Sequence, residues 1–192
     1  MQKKNNLEDQ QVDIFAIKML ALLMCRDSTR VKSSLFLDTV IGHDGMLLGR
    51  DTVTINSSRL RRAIQWLLFF SEILPKKYYY SFSNEIGDDQ SNTDPYWSHE
   101  YVSAADEFLQ NHFDEMYMGV FLSKFFGDMD CTFTRKEFMK KTCGNTFRKS
   151  KLDWLFNPTQ MRLRFKDNFQ VVLNRHFPPL KSKILNQQEE VK

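Results

Sequence analysis

Apolar residues recur mostly at helical spacing, and the first clear run is Val12–Cys25, VDIFAIKMLALLMC. Ile14, Ile17, Met19, Leu20, Leu22 and Met24 leave few positions for solvent, which predicts a central core helix. Arg26, Asp27 and Ser28 interrupt it. A shorter helix is expected over Val31–Ile41, with Leu35, Phe36, Thr39 and Val40 inward, and Gly42–Gly45 (GHDG) reads as a turn. Leu47–Ile55 alternates weakly and suggests a short strand or an ordered insertion. The chain is organised around the next stretch, NSSRLRRAIQWLLFFSEILPKKYYYSFS, Asn56–Ser83. Asn56 or Ser57 can cap a helix by accepting an orphan backbone N–H. Leu60, Ala63, Ile64, Leu67, Ser71 and Leu74 then mark its inner face. Pro75 lacks the N–H to continue it, and the aromatic KKYYYSFS is β-prone.

The second half opens after a polar, turn-rich stretch, Asn84–Asp94, that reads as a linker closed by Pro95. Ser98 caps a helix whose inner face is Val102, Ala105, Phe108, Leu109, Phe113 and Met116, with Asp106, Glu107, Asp114 and Glu115 outside. Apolar character continues over Met118–Phe126. Gly127–Phe138, GDMDCTFTRKEF, invites a calcium-loop reading, and Thr132–Phe138 resembles the end of such a loop. With Glu137 as the twelfth residue, however, Phe126 takes the first ligand position and Cys131 the position that wants glycine, so no working calcium site is expected. Cys131–Thr134 reads instead as a short strand entering a helix, Arg135–Thr142. A turn at Cys143–Asn145 leads to a third helix, Thr146–Phe156, with Phe147, Leu152 and Leu155 as core candidates and Pro158 as its stop. Met161–Phe165 (MRLRF) alternates as a half-buried strand does, Lys166–Asn168 turns, and Phe169–Leu173 returns.

The order of elements predicts a mainly α chain with short β wings, an α+β class built as a tandem winged helix-turn-helix. The expected divisions are a flexible lead-in at 1–11, a first winged-helix domain at 12–83, a linker at 84–95, a second winged-helix domain at 96–180 and a flexible tail at 181–192.

Composition narrows the function classes. Seven Gly and five Pro are too few for collagen-like, disordered or many-turned β chains. Three widely spaced cysteines, Cys25, Cys131 and Cys143, give no disulfide framework and fit a reducing, intracellular setting. His43, His99, His112 and His176 are scattered, so no metal or other cofactor is expected. The first eleven residues are polar and the run Ile14–Cys25 is too short to span a bilayer, so neither a leader nor a membrane is expected. No Ser/His/Asp or Cys/His set, paired-carboxylate motif or Gly-rich phosphate loop stands out, so no catalytic residue is named, no small-molecule substrate is expected, and the chain reads as non-enzymatic.

Charge is unevenly placed. Residues 96–130 carry one Lys against seven acids, and residues 131–186 carry 13 Lys and Arg against three acids, a net of +10. Within that segment Arg148, Lys149 and Lys151 fall on the expected third helix, and Arg162, Arg164 and Lys166 on the expected wing. Such a cluster can neutralise phosphates and release counterions, and nearby aromatics can stack on single-stranded bases. It can equally pair with the acidic helix before it or remain solvated. On the central helix, Trp66, Phe69 and Ile73 lie opposite Leu60 and Leu67 and form an apolar outer stripe, where a DNA-reading helix would carry polar side chains. Packing within the chain, a partner protein and insertion in a major groove are the three ways to cover it.

The aromatic-rich third helix RLRRAIQWLLFF and the basic wing MRLRFKDNF, in tandem winged helices, resemble the C-terminal half of the middle subunit of the telomeric CST complex, a relative of the middle subunit of replication protein A. The resemblance covers architecture over residues 12–175. It implies telomere maintenance, contacts with other protein subunits and with single-stranded DNA, a nuclear location, and an OB-fold preceding this segment. Trafficking, chromatin and transcription assemblies share the architecture. The alternative is therefore a winged-helix interaction scaffold without direct nucleic-acid contact.

Overall fold

The computed structural model describes residues 13–49, 51–55, 57–79, 98–116, 132–143 and 152–176. They form a mainly helical structure with one small antiparallel sheet. The expected lead-in, linker and tail, the expected strand residues 80–83, residues 127–131 of the calcium-like loop and residues 146–151 of the expected third helix lie outside the described residues.

Helix α1, Ile14–Met24, starts on Asp13, whose carboxylate accepts the Phe15 amide at 2.9 Å. It buries Ala16, Met19, Leu22 and Leu23. It is not the central helix that its composition suggested, because Ile14, Ile17 and Met24 are 68, 50 and 74% exposed. Helix α2, Thr29–Leu47, follows after a connection of four residues. Phe36, Leu37 and Val40 are buried, while Leu35, expected inside, faces solvent. The expected GHDG turn is a kink at a single residue, Gly42, at φ 77° and ψ 167°. That conformation is essentially restricted to glycine, and helical backbone resumes beyond it.

Strand β1, Thr52–Thr54, leads into helix α3, Ser58–Leu68. Pro75 does not stop this helix. The backbone passes through a π-helical turn, Phe69–Ile73, and stays helical over residues 74–79, so the strand expected from Lys76 onward is absent as far as residue 79. Pro75 cannot donate to the carbonyl four residues back, and Arg162 Nε donates to that Ser71 oxygen at 3.2 Å. The π turn inserts one extra residue, which rotates everything after it by about 100° relative to an α wheel. Ile73 and Glu72 therefore turn inward and are buried, and Leu74, expected inside, turns out.

Helix α4, His99–Asn111, is capped as expected, with Ser98 Oγ accepting the Tyr101 amide at 3.2 Å. It buries Tyr101, Val102, Ala105, Phe108 and Leu109, and the short helix α5, Phe113–Met116, continues it. Strand β2, Thr132–Thr134, enters helix α6, Arg135–Cys143, close to the expected boundaries. Thr134 and Glu137 make a reciprocal cap, Thr134 N–H to Glu137 Oε2 at 2.7 Å and Glu137 N–H to Thr134 Oγ1 at 3.2 Å. The Thr134 backbone N–H, with its hydroxyl, holds the Glu137 carboxyl below its ordinary range.

A 3-10 turn, Asp153–Phe156, precedes helix α7, Pro158–His176. This corrects the expected wing. Pro158 begins a helix rather than ending one, a position where its missing N–H costs nothing, and Asn157 Oδ1 accepts the Gln160 amide at 3.1 Å. Met161, Phe165 and Phe169 are buried at a spacing of four, whereas Leu163, which an alternating strand would bury, is 49% exposed.

The two strands pair with each other. Val53 stands opposite Phe133, and both are buried. The sheet thus joins the first half of the chain to the second, and the core is continuous across them. Phe36 of α2 stacks on Phe138 of α6 at 5.6 Å and meets Phe156 edge-on. Phe169 of α7 contacts Tyr101 and Phe108 of α4. Between α2 and α6, Ser33 Oγ donates to Thr142 Oγ1 at 2.9 Å, a buried polar link that also engages the carbonyls of Thr29 and Phe138. Among the described residues, no helix is long and apolar enough to cross a membrane.

Candidate interaction surface

Helices α1 and α2, joined by four residues, pack against each other. Between them lies a groove of about 680 Å³. Ile14 and Phe15 of α1 and Leu35 and Met46 of α2 give it apolar walls. Ile17 and Met24 extend the exposed apolar face of α1. The charged residues lining it are Lys18, Arg59, Asp27 and Asp38, of which Asp38 is already paired with Arg135. Arg59 reaches over the kink. A Cβ on Gly42 would lie 1.9 Å from Arg59 Nη1, so the absence of that atom makes room for the guanidinium. The other two arginines of α3 are held by carboxylates, Arg61 by Asp114 at 2.7 Å and Arg62 by Asp13 at 2.5 Å. Partial burial pushes the Asp13 carboxyl up, but hydrogen bonds from Arg62 and the Phe15 amide outweigh it and hold it low. Arg59 and Lys18 have no carboxylate partner among the described residues.

The expected aromatic stripe is divided by the π turn. Trp66 and Phe69 are half-buried and line a second groove of about 710 Å³ with Gln65, Leu109 and Phe113. Ile73 is inside the core instead of beside them. Phe70 joins the cluster, stacked on Trp66 at 5.3 Å. The charges rimming this groove are satisfied internally, Lys77 by Asp106 and Arg61 by Asp114.

The basic residues of the expected wing are on α7 and do not form one surface. Arg162 is half-buried, donating to Ser71 O and lying 3.6 Å from Glu72 Oε2. Arg164 lies over the Trp154 ring at 4.5 Å. Lys166 is close enough to influence Glu72. Arg148, Lys149 and Lys151 lie outside the described residues. Glu72 itself was not legible as special. It is 1% exposed, pairs with Lys76, which is 3% exposed, and Lys76 also lies over the Tyr101 ring. Burial pushes the Glu72 carboxyl above its ordinary range against the pull of Lys76, Arg162 and Lys166. An α wheel places Glu72 at the edge of the helix, and only the π turn carries it inside.

Arg135, first residue of α6, joins the two halves electrostatically. Its guanidinium meets Asp38 at 2.5 Å, Ser34 Oγ at 3.2 Å and Asp51 at 3.4 Å, and its backbone N–H donates to Asp51 O at 2.9 Å. Among the described residues, no three His, Cys, Asp or Glu side chains converge as a metal site would need. No protein-family model matches the chain, and no curated protein or solved structure matches it.

Proposed function

We propose that the chain is a non-enzymatic interaction subunit whose partner surface is the apolar face of α1 with the α1–α2 groove. The observation that carries this reading is the exposure of Ile14, Ile17 and Met24 on one helix, beside exposed Leu35 and Met46. A contiguous apolar face of this kind marks an interaction site more often than an idle surface.

The scaffold fits the reading. Segment α2–β1–α3 is a helix–loop–helix unit, and its strand pairs with β2, which leads into α6. This connectivity resembles paired EF-hands, in which each loop normally cages a cation. Counted in phase with β1, the first loop has Met46 at its first and Ser57 at its twelfth position, neither a carboxylate. Glu137, the twelfth residue of the other loop, is engaged in a helix cap. The Arg135 guanidinium supplies a fixed cross-link between the units. These features support a static scaffold that does not answer to calcium.

The test is site-specific photo-crosslinking in cells, with a benzophenone side chain placed at Ile17, at Met24 or at Glu107 on the exposed side of α4. The same protein partner captured from Ile17 and Met24 but not from Glu107 supports the reading. Capture without preference for the α1 positions counts against it.

A second reading gives up the wings but keeps a telomere-type role on single-stranded DNA in the nucleus. The net charge of residues 131–186 favours it. With α7 in place of the hairpin, its contacts would run through Arg164, Lys166 and residues 148–151. Anisotropy of labelled single-stranded and duplex oligonucleotides across a salt series tests it. Steeply salt-dependent binding, lost on Arg148→Glu/Lys149→Glu/Arg164→Glu, would support it, and no binding at low salt would remove it.

A further inference from the structure

We infer that the occupant of the α1–α2 groove is an amphipathic helix of a partner protein, about three turns long, that sets carboxylates against Arg59 and Lys18. The inference rests on the reading of α1 as a partner surface and adds the chemistry of what binds there.

Three features of the groove point to this occupant. Its length is that of α1, 11 residues, or about 16 Å at the helical rise. Its walls are helices whose backbone groups are already engaged, so they offer an incoming chain few main-chain hydrogen bonds. An extended segment would leave its own amides unsatisfied on apolar walls, whereas a helix brings its hydrogen bonds with it and needs only apolar side chains at spacings of three and four. The third feature is charge. Arg61, Arg62 and Arg135 each meet an internal carboxylate, but Arg59 and Lys18, which both line the groove, meet none among the described residues. Arg59 is moreover seated in place by the glycine kink, since any Cβ at position 42 would strike its guanidinium. A positioned guanidinium beside an apolar trough is suited to a carboxylate at one end of a docked helix. Asp27 and the Arg135-paired Asp38, which also line the groove, disfavour an occupant that is acidic throughout.

The experiment uses the full chain and two synthetic helices of about 14 residues, with leucines at spacings of three and four and glutamines elsewhere. One carries two glutamates in a terminal turn and the other two lysines at the same places. Binding is read by fluorescence anisotropy at low and high salt, with circular dichroism to establish that each variant is folded. The expected result is at least about ten-fold tighter binding of the glutamate peptide, lost or inverted by Arg59→Glu and reduced by Arg59→Met and by Lys18→Glu. Equal binding of both peptides, or a preference that survives Arg59→Glu, overturns the charge assignment and leaves the apolar surface standing. If neither peptide binds, both this inference and the partner-surface reading fall. Sedimentation of the chain alone supplies the last arm: a dimer dispersed by Ile17→Glu makes a second copy the occupant and overturns the inference.

Discussion

Replacing Lys76 by Met probes the charge cluster beneath α3. Lys76 and Glu72 are both almost fully buried and form an i,i+4 pair. Met keeps most of the aliphatic volume and removes the ammonium that lies on Glu72 and over the Tyr101 ring at 4.6 Å. Arg162 Nε stays 3.6 Å from the carboxylate, but that side chain is partly exposed. A buried carboxylate deprived of its main counter-charge takes up a proton rather than remain ionised. The folded-state pKa of Glu72, already raised by burial, then rises further. The unfolded chain releases this proton near the ordinary value of 4.5, while the folded chain retains it. Between those values the folded state binds more protons, so stability is fully present below 4.5 and falls as pH rises towards the folded value. At pH 7, about 2.5 pH units above the ordinary value, a penalty of about 1.4 kcal/mol per unit gives a ceiling of about 3 kcal/mol. Urea unfolding followed by tryptophan fluorescence, run at about pH 5, 6 and 7, reads this directly. The cost of Lys76→Met relative to the parent should grow with pH, by at most about 1.4 kcal/mol per unit, and Glu72→Gln/Lys76→Met should lose the slope. A cost of equal size at all three pH values, or a slope that persists in the double variant, would refute the reasoning.

Other consequences can be checked with the same unfolding assay. Phe36→Ala removes a fully buried ring stacked on Phe138 and edge-on to Phe156, and should cost about 3–5 kcal/mol. Gly42→Ala forces a side chain into a backbone region open almost only to glycine and pushes the Arg59 guanidinium aside. A loss of about 1–3 kcal/mol is expected, together with weaker discrimination between the glutamate and lysine peptides. Arg135→Ala should cost about 1 kcal/mol at low salt and less in about 1 M NaCl, because the guanidinium is about one-third exposed and its pairs are screened. Adding about 1 mM calcium should leave the circular dichroism spectrum and the melting temperature unchanged, since the first loop lacks carboxylates at its first and twelfth positions. A stabilisation that saturates with calcium would overturn the static-scaffold reading.

The sequence by itself determined the helices with one strongly patterned face and a local cap. Ser98 announces α4, and Leu60, Ala63, Ile64 and Leu67 announce the buried face of α3, because these signals lie within a turn or two of the residues they fix. It also located the second strand, read over Cys131–Thr134, and left the first as one of two options for Leu47–Ile55. The start of α7 was legible but misread: Asn-Pro is a helix entry as readily as an exit, and MRLRF satisfies a period of two while Met161, Phe165 and Phe169 satisfy a period of four. Only the tertiary structure decided between them, by offering Tyr101 and Phe108 to the ring of Phe169. It likewise decided which strand pairs with which, because strand pairing is settled by non-local contacts that no short window contains. The π turn is of the same kind. Arg162, distant in sequence, donates to the carbonyl beside Pro75, and the one-residue rotation that follows moves Ile73 and Glu72 inward. The face of α1 left to solvent is the plainest case. Composition makes nearly every side of that helix apolar, and only the positions of α2 and α3 determine which side is covered and which remains open to a partner.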